Sequence, residues 1–210
     1  MEYKKISISY CILACVEVFE LKRLLTQLLG FKDANDEIIV VLDSDNTIDD
    51  MRKMLALYPM IKVFENPLNR DFAKQKNFAT AQATGDYIFN IDADEYPAKQ
   101  LTNGVKLIIE SNPEVDAIWV PRVNTVEGLT QDHIKKWGWK VNENGWVNWP
   151  DSQLRIYKRK PSIYWIKPVH ETLTGFEQYA VLPQSENYAL YHPKHIDRQE
   201  QQNNFYSTIN

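Results

Sequence analysis

Between residues 6 and 97 the chain alternates short apolar runs with longer stretches of helical periodicity, without a break. Ile6–Ala14 (ISISYCILA) and Glu37–Leu42 (EIIVVL) are apolar or β-branched and bounded by polar residues, which predicts buried strands. Ile61–Phe64 and Tyr87–Ile91 predict two more. Between the first two, Glu17–Leu29 places leucines at 21, 24, 25, 28 and 29, a helical stripe that Gly30 is expected to stop. Thr47–Leu57 opens on a capping-box-like Thr47-x-x-Asp50, carries Met51, Met54 and Leu55 on one face, and meets Pro59. Asp71–Thr84 is rich in Ala, Lys and Gln, is anchored by Phe72 and Phe78, and is expected to close at Gly85. This order leaves few folds. Parallel strands need crossovers, and the crossover helices cover the faces of the sheet. The predicted class is α/β: a Rossmann-like, mostly parallel sheet flanked by helices.

The second half reads differently. Ala98–Glu110 predicts one more helix and Val115–Pro121 a strand. From residue 130 the chain turns aromatic and β-like, with Asn142–Gly145 as a hairpin turn, which predicts a smaller aromatic-rich β region. The tail, 198–210, is polar and predicts a short helix or partial disorder. The whole reads as one domain, 1–210, split near residue 97. A net charge of −4 gives no basic footprint for nucleic acid. Cys11 and Cys15, the only cysteines, lie in an apolar run, so a reducing compartment is simpler than a disulfide scaffold. No apolar stretch approaches the ~20 residues of a membrane span, and no signal peptide is read. The expectation is a soluble, cytoplasmic protein.

The strand at Tyr87–Ile91 runs straight into Asp92, Asp94 and Glu95. In such sheets ligands bind beyond the carboxyl ends of the strands. Asp43 and Ala14–Glu17 fall at two other such ends. Asp92 and Asp94 alternate, which on extended backbone sets both carboxylates on one side. Oxygen pairs of this kind suit Mg²⁺ or Mn²⁺ and leave coordination sites open for a diphosphate. A solvated turn is the plain alternative. An EF-hand loop fails, because Tyr96 and Pro97 stand where it needs a ligand and a glycine.

The run NRDFAKQKNFATAQATGDYIFNIDADEYP, residues 69–97, closely resembles family-2 glycosyltransferases of the GT-A fold. It is most similar to the bacterial subgroup that adds sugars to lipopolysaccharide core. RIYKRK (155–160) and VHETL (169–173) resemble the same subgroup's later elements. The resemblance makes 1–97 the nucleotide-binding half and 98–197 the acceptor-side half. It implies that Asp92 and Asp94 hold a Mn²⁺ or Mg²⁺ ion and the diphosphate, with His170 as a third metal ligand or a contact to the diphosphate. Asp43, or its neighbour Asp45, would grip the nucleotide, with Ala14 and Glu17 beside it. Lys74 and Arg155 would meet phosphate. Ala14-Cys15-Val16-Glu17 departs from the family's usual sequence there.

The implied activity is metal-dependent, inverting transfer from a nucleotide-diphosphate sugar, most commonly a UDP-sugar, to a hydroxyl acceptor such as a lipopolysaccharide-type glycan. A cation stabilises the leaving diphosphate, and a carboxylate on the opposite face takes the acceptor's proton. Glu171 is the leading base, with Asp151 and Glu95 as runners-up. Glu95 and the tryptophans Trp137, Trp139 and Trp149 are read as acceptor contacts, set against a plain core role for the rings. A hydroxylated base in DNA, met by the tryptophans and the 155–160 basic strand, is a second and less favoured acceptor. A non-catalytic glycan-binding relative is a third reading, opposed by the intact acids. A sugar-nucleotide pyrophosphorylase would need a Gly-rich loop after the first strand, which is absent. The subgroup also implies a peripheral place at the inner face of a membrane.

Overall fold

The computed structural model describes residues 5–207. The first half follows the expected alternation: β1 (Ile8–Ala14), α1 (Val18–Phe31), β2 (Glu37–Asp43), α2 (Asp49–Leu55), β3 (Lys62–Asn66), α3 (Phe72–Gln82) and β4 (Tyr87–Asp92). A short strand β5 (Tyr96–Pro97) and helix α4 (Lys99–Glu110) come next, then β6 (Ala117–Val120), β7 (Arg122–Glu127) and helix α5 (Gln131–Trp137). The remaining elements are β8 (Gln153–Lys158), β9 (Tyr164–Ile166), β10 (Thr172–Thr174), β11 (Tyr179–Val181), β12 (Leu190–His195) and helix α6 (Ile196–Ser207).

The main sheet has seven strands in the order β11-β6-β8-β4-β1-β2-β3. Strands β4, β1, β2 and β3 run parallel, and β8 runs antiparallel between β4 and β6. Strands β5, β12 and β7 form a second sheet, and β9 with β10 a separate ribbon. The alternation within β1 and β2 explains their unbroken apolar sequence. Ile8, Tyr10, Ile12, Ile38, Val40 and Leu42 pack into one core with α1 and α4. Cys11, Ile39 and Val41 pack into the other, with Ala73 and Ala79 of α3. Both faces are covered, so neither can be polar. Among the described residues no helix is long and apolar enough to cross a membrane.

Several boundaries differ from expectation, each for a physical reason. Helix α1 runs through Gly30, because Phe31 packs on the core edge-to-face with Tyr10. Thr47 does not cap α2; its hydroxyl donates to the Cys15 carbonyl at 2.8 Å and ties the first two strand-end loops together. The expected β-like stretch after residue 130 begins as helix α5, capped by the Thr130 hydroxyl and ended by Gly138 at φ 65°. None of its residues is fully buried, so its apolar side chains showed no core stripe. The turn at Asn142–Gly145 forms, but it closes only the isolated Val141–Val147 bridge.

Gly85 does not close α3, which ends at Gln82. Its amide donates to the Ser9 hydroxyl at 2.9 Å, and a Cβ there would sit 2.7 Å from the Ser9 backbone nitrogen. The backbone of β1 cannot recede without breaking its pairs with β2 and β4. Gly85→Ala is therefore expected to cost about 1–3 kcal/mol by overpacking, read as a Tm several degrees lower in thermal unfolding.

Candidate active site

Strand β4 delivers Asp92 to its carboxyl end, and the chain turns at once. The Glu95 amide donates to the Asp92 carbonyl at 2.9 Å, while Glu95 Oε2 accepts from the Asp92 amide at 3.1 Å. The Glu95 side chain is thus folded under the turn and fully buried. Such a charge survives only with a partner. Arg155 Nη2 donates to Glu95 Oε1 at 2.6 Å and to Asp92 Oδ2 at 2.7 Å. Arg122 Nη1 reaches Glu95 at 3.2 Å, and its Nε and Nη2 donate to Asp151 Oδ2 at 2.9 and 2.6 Å. Alternating charge thus runs Asp92–Arg155–Glu95–Arg122–Asp151. Burial alone would raise the Asp92 carboxyl, but Arg155, then Lys76 and Arg122, hold it well below the usual carboxylate range. The same acids, after a larger cost of burial, hold the Arg155 guanidinium above its ordinary value.

Arg155 reaches this position through an irregularity in β8. Ile118 stands opposite Ile156, and Trp119 opposite Leu154, so the register skips Arg155. A bulge of this kind re-aims one side chain without moving the strand.

Asp94 is held from another side. His192 and Lys194, alternate residues of β12, approach it at 3.3 and 3.9 Å, and Arg198 of α6 at 3.4 Å. Burial raises the Asp94 carboxyl; His192, Lys194 and Arg198 outweigh that and hold it low. Burial lowers the Lys194 ammonium more than Asp94 raises it. Arg198 also pairs with Glu17 at 3.0 Å and Glu20 at 3.1 Å. The other Glu17 oxygen accepts from the amides of Cys15 and Val16, fixing the loop after β1.

These groups surround a cavity of about 800 Å³. Its further wall carries Lys76, Trp165, His170 and Glu171. Lys76 is buried, lies 4.4 Å from the centre of the Trp165 ring and donates to Glu171 Oε1. Asp151 is more fully engaged: beyond Arg122, it accepts from Asn124 at 2.6 Å and Gln153 at 3.0 Å.

Of the residues singled out by sequence, the cavity gathers Glu17, Asp92, Asp94, Trp139, Asp151, Arg155, His170 and Glu171. Others fall elsewhere. Lys74 is exposed and paired with Asp71 at 3.1 Å; Lys76, two residues on, is the helix cation that faces the cavity. Ala14 is buried at the end of β1 and lines no part of the cavity. Asp43 is buried and accepts from Asn46 and the Leu68 amide at 2.7 and 3.1 Å, which organises the loop after β2; Asp45 is exposed beside it. Glu95 has no surface to offer an acceptor. Trp137 stacks on His133 and tilts against Trp139, and Trp149 packs on Trp146, outside the cavity. The basic strand is largely committed to internal partners: Lys158 and Lys160 to Asp116, Arg159 to the Gly85 carbonyl. A DNA-facing role for that strand is therefore not supported. Arg122, His192, Lys194 and Arg198 were not anticipated as site residues. Only the strand-end position of Asp94 hinted that partners must exist.

His170 lines the same cavity as Asp92 and Asp94, and among the described residues no group of three or more His, Cys, Asp or Glu side chains is placed to hold a metal ion. The two carboxylates still fit a hard cation in an open site. Asp92 keeps a third of its side chain exposed, and such ions accept ligands from substrate oxygens and water.

The family model described as "Glycosyl transferase family 2" matches residues 9–179. A TPR repeat-containing protein of Synechococcus elongatus is 28% identical over 165 residues, 78% of this chain and 34% of that protein. The chain therefore spans about a third of the length of this curated relative. The crystal structure of the 1–349 segment of S. aureus TarS superposes with a TM-score of 0.61 at 17% identity, covering 90% of this chain and 60% of that one. A longer TarS structure gives the same score over 37% of its length. At that identity the likeness is one of fold.

Proposed function

The chain belongs to glycosyl transferase family 2, and on that premise we propose that its cavity moves a sugar from a nucleotide-diphosphate sugar to an acceptor hydroxyl, with inversion. The observation that carries this reading is the delivery of Asp92 and Asp94 by β4 into a cavity of about 800 Å³, backed by Arg155. That volume lies within the range of sites that enclose small ligands.

Asp92 and Asp94 would hold Mn²⁺ or Mg²⁺, which when bound supplies positive charge to the diphosphate oxygens. The chain's own cations add to that charge. Lys76, Lys194 and Arg198 line the same cavity, so negative charge developing on the leaving group meets fixed positive groups rather than water. Glu17 and Arg198 pin the loop after β1 to α6, which orients whatever lies between them.

Glu171 is the group we assign to the acceptor's proton. Its Oε1 accepts from Lys76, and no second hydrogen bond to its carboxylate is found among the described residues. Asp151 accepts three donors on one oxygen and one on the other, which leaves little lone-pair capacity for a hydroxyl. Glu171→Gln is expected to lower kcat by about 10²–10⁴-fold. Nucleotide binding, read as a Mn²⁺-dependent thermal shift in a screen of nucleoside diphosphates, should persist in the variant. Full turnover by Glu171→Gln would remove the assignment. No shift of the parent protein with any nucleotide would remove the donor site itself. A lipopolysaccharide-type glycan is the acceptor class we favour, on sequence resemblance alone.

A further inference from the structure

Beside the cavity lies a second hollow, of about 390 Å³, lined by Trp119, Ser152, Phe176, Tyr179 and Val181. Its lining shares one residue with that of the first. Trp119 lines both, and Ser152 stands between Asp151 and Gln153, which line the cavity. Tyr179 and Val181 are alternate residues of β11, so they share one face of the sheet. Ala180 between them packs against the opposite core. Trp119 and Phe176 pack on the same side as α3, and there β11 completes the hollow.

The hollow is built by constrained backbone. Gly175 sits at φ 79°, and a Cβ there would lie 1.6 Å from the Ser162 carbonyl oxygen. Only glycine lets the chain pass that point and lay Phe176 beside Tyr179, with ring centres 6.3 Å apart at 83°. Despite this, Tyr179 and Val181 remain 59% and 53% exposed. These large side chains stand open on the edge strand β11, beside the cavity.

The chemistry of the lining selects the occupant. Three of its five residues are aromatic, with a tyrosine and a serine hydroxyl among them. A sugar ring presents an apolar C–H face to stack on aromatics and hydroxyls at its rim to hydrogen-bond. An alkyl chain would leave those two hydroxyls without use. Resting on the transferase reading above, we propose that this hollow is an acceptor-extension subsite. It seats the sugar next to the one whose hydroxyl is glycosylated, so the acceptor is an oligosaccharide or longer glycan rather than a lone monosaccharide.

The test measures binding of the full chain to methyl glycosides of glucose, galactose and N-acetylglucosamine and to their di-, tri- and tetrasaccharides. Tryptophan fluorescence is the readout, with UDP and Mn²⁺ present. In at least one series, affinity should rise tenfold or more from mono- to trisaccharide. Tyr179→Ala, at an exposed position, should abolish that gain while leaving the Mn²⁺-dependent nucleotide shift unchanged. No gain with length in any series, or a gain that survives Tyr179→Ala, would overturn the subsite. A dimer of the parent that Tyr179→Ala converts to monomer, seen by light scattering, would also overturn it by giving the hollow to a second copy. Loss of the nucleotide shift in the parent itself would instead indict the transferase reading.

Discussion

Asp92→Asn is expected to lower transfer about 10³-fold, with whichever nucleotide sugar the thermal screen selects. The carboxylate is the one acid of the cluster that joins the end of β4, the cavity and the Arg155 guanidinium. Asparagine keeps its shape and one acceptor oxygen but removes the charge that a divalent ion requires. The fold should tolerate the change, because Arg155 keeps Glu95 at 2.6 Å. Turnover should collapse and the Mn²⁺-dependent nucleotide shift disappear, while Tm falls only by what the Asp92 charge contributes to its pairing with Arg155. Adding Asp94→Asn should cost little more, since both acids serve one function and such effects are not additive. Turnover close to the parent level in Asp92→Asn would end the proposed mechanism, whatever the family.

The difference between what was and was not legible in the sequence follows from range. Strands β1 and β2 are covered on both faces, so their apolar runs stand out without any neighbour being known. Helix α1 shows its leucine stripe because it buries one face, Leu21, Leu24, Leu25 and Leu28. Asp92 was legible because a strand end in a parallel sheet is a place, not only a residue type. Its partners were not. Arg122, Arg155 and His192 lie 27, 63 and 98 residues from the acids they hold, and nothing local pairs them. The bulge that aims Arg155 depends on β6, a strand drawn from elsewhere in the chain. Lys76 was readable as a cation on a helix, but its burial depends on Trp165 and Glu171. Strands β9, β10 and β11 have three residues each, too few for a period to declare itself. The aromatic run after residue 130 misled because α5 owes its form to a cap at Thr130 and a stop at Gly138, not to its rings.

Arg155→Met is expected to destabilise the fold by about 3–5 kcal/mol at pH 7, the largest loss of stability anticipated from a single change. The side chain is 3% exposed and serves Asp92 and the fully buried Glu95 together. Methionine fills the space and removes the charge, leaving Arg122 at 3.2 Å as the remaining cation on Glu95 among the described residues. The pH dependence supplies the discriminating sign. In the parent, Asp92 is held below its unfolded-state pKa, so its ionised form favours the folded protein. That contribution is complete above about pH 4 and is lost only as pH falls further. Without Arg155, burial dominates at Asp92 and its folded-state pKa rises above the unfolded value. The folded variant then binds more protons than the unfolded chain. Its stability should therefore increase as pH falls from 7 toward 5, a range over which Asp92 leaves the parent's stability flat. Glu95→Gln added to Arg155→Met should recover part of the loss, because it removes a charge that has lost its main partner. Equal urea midpoints for parent and Arg155→Met, or a loss independent of pH, would mean that the alternating charges contribute nothing to the fold. The test reaches beyond stability, since the guanidinium that neutralises Glu95 also fixes the carboxylate of Asp92 at the cavity wall.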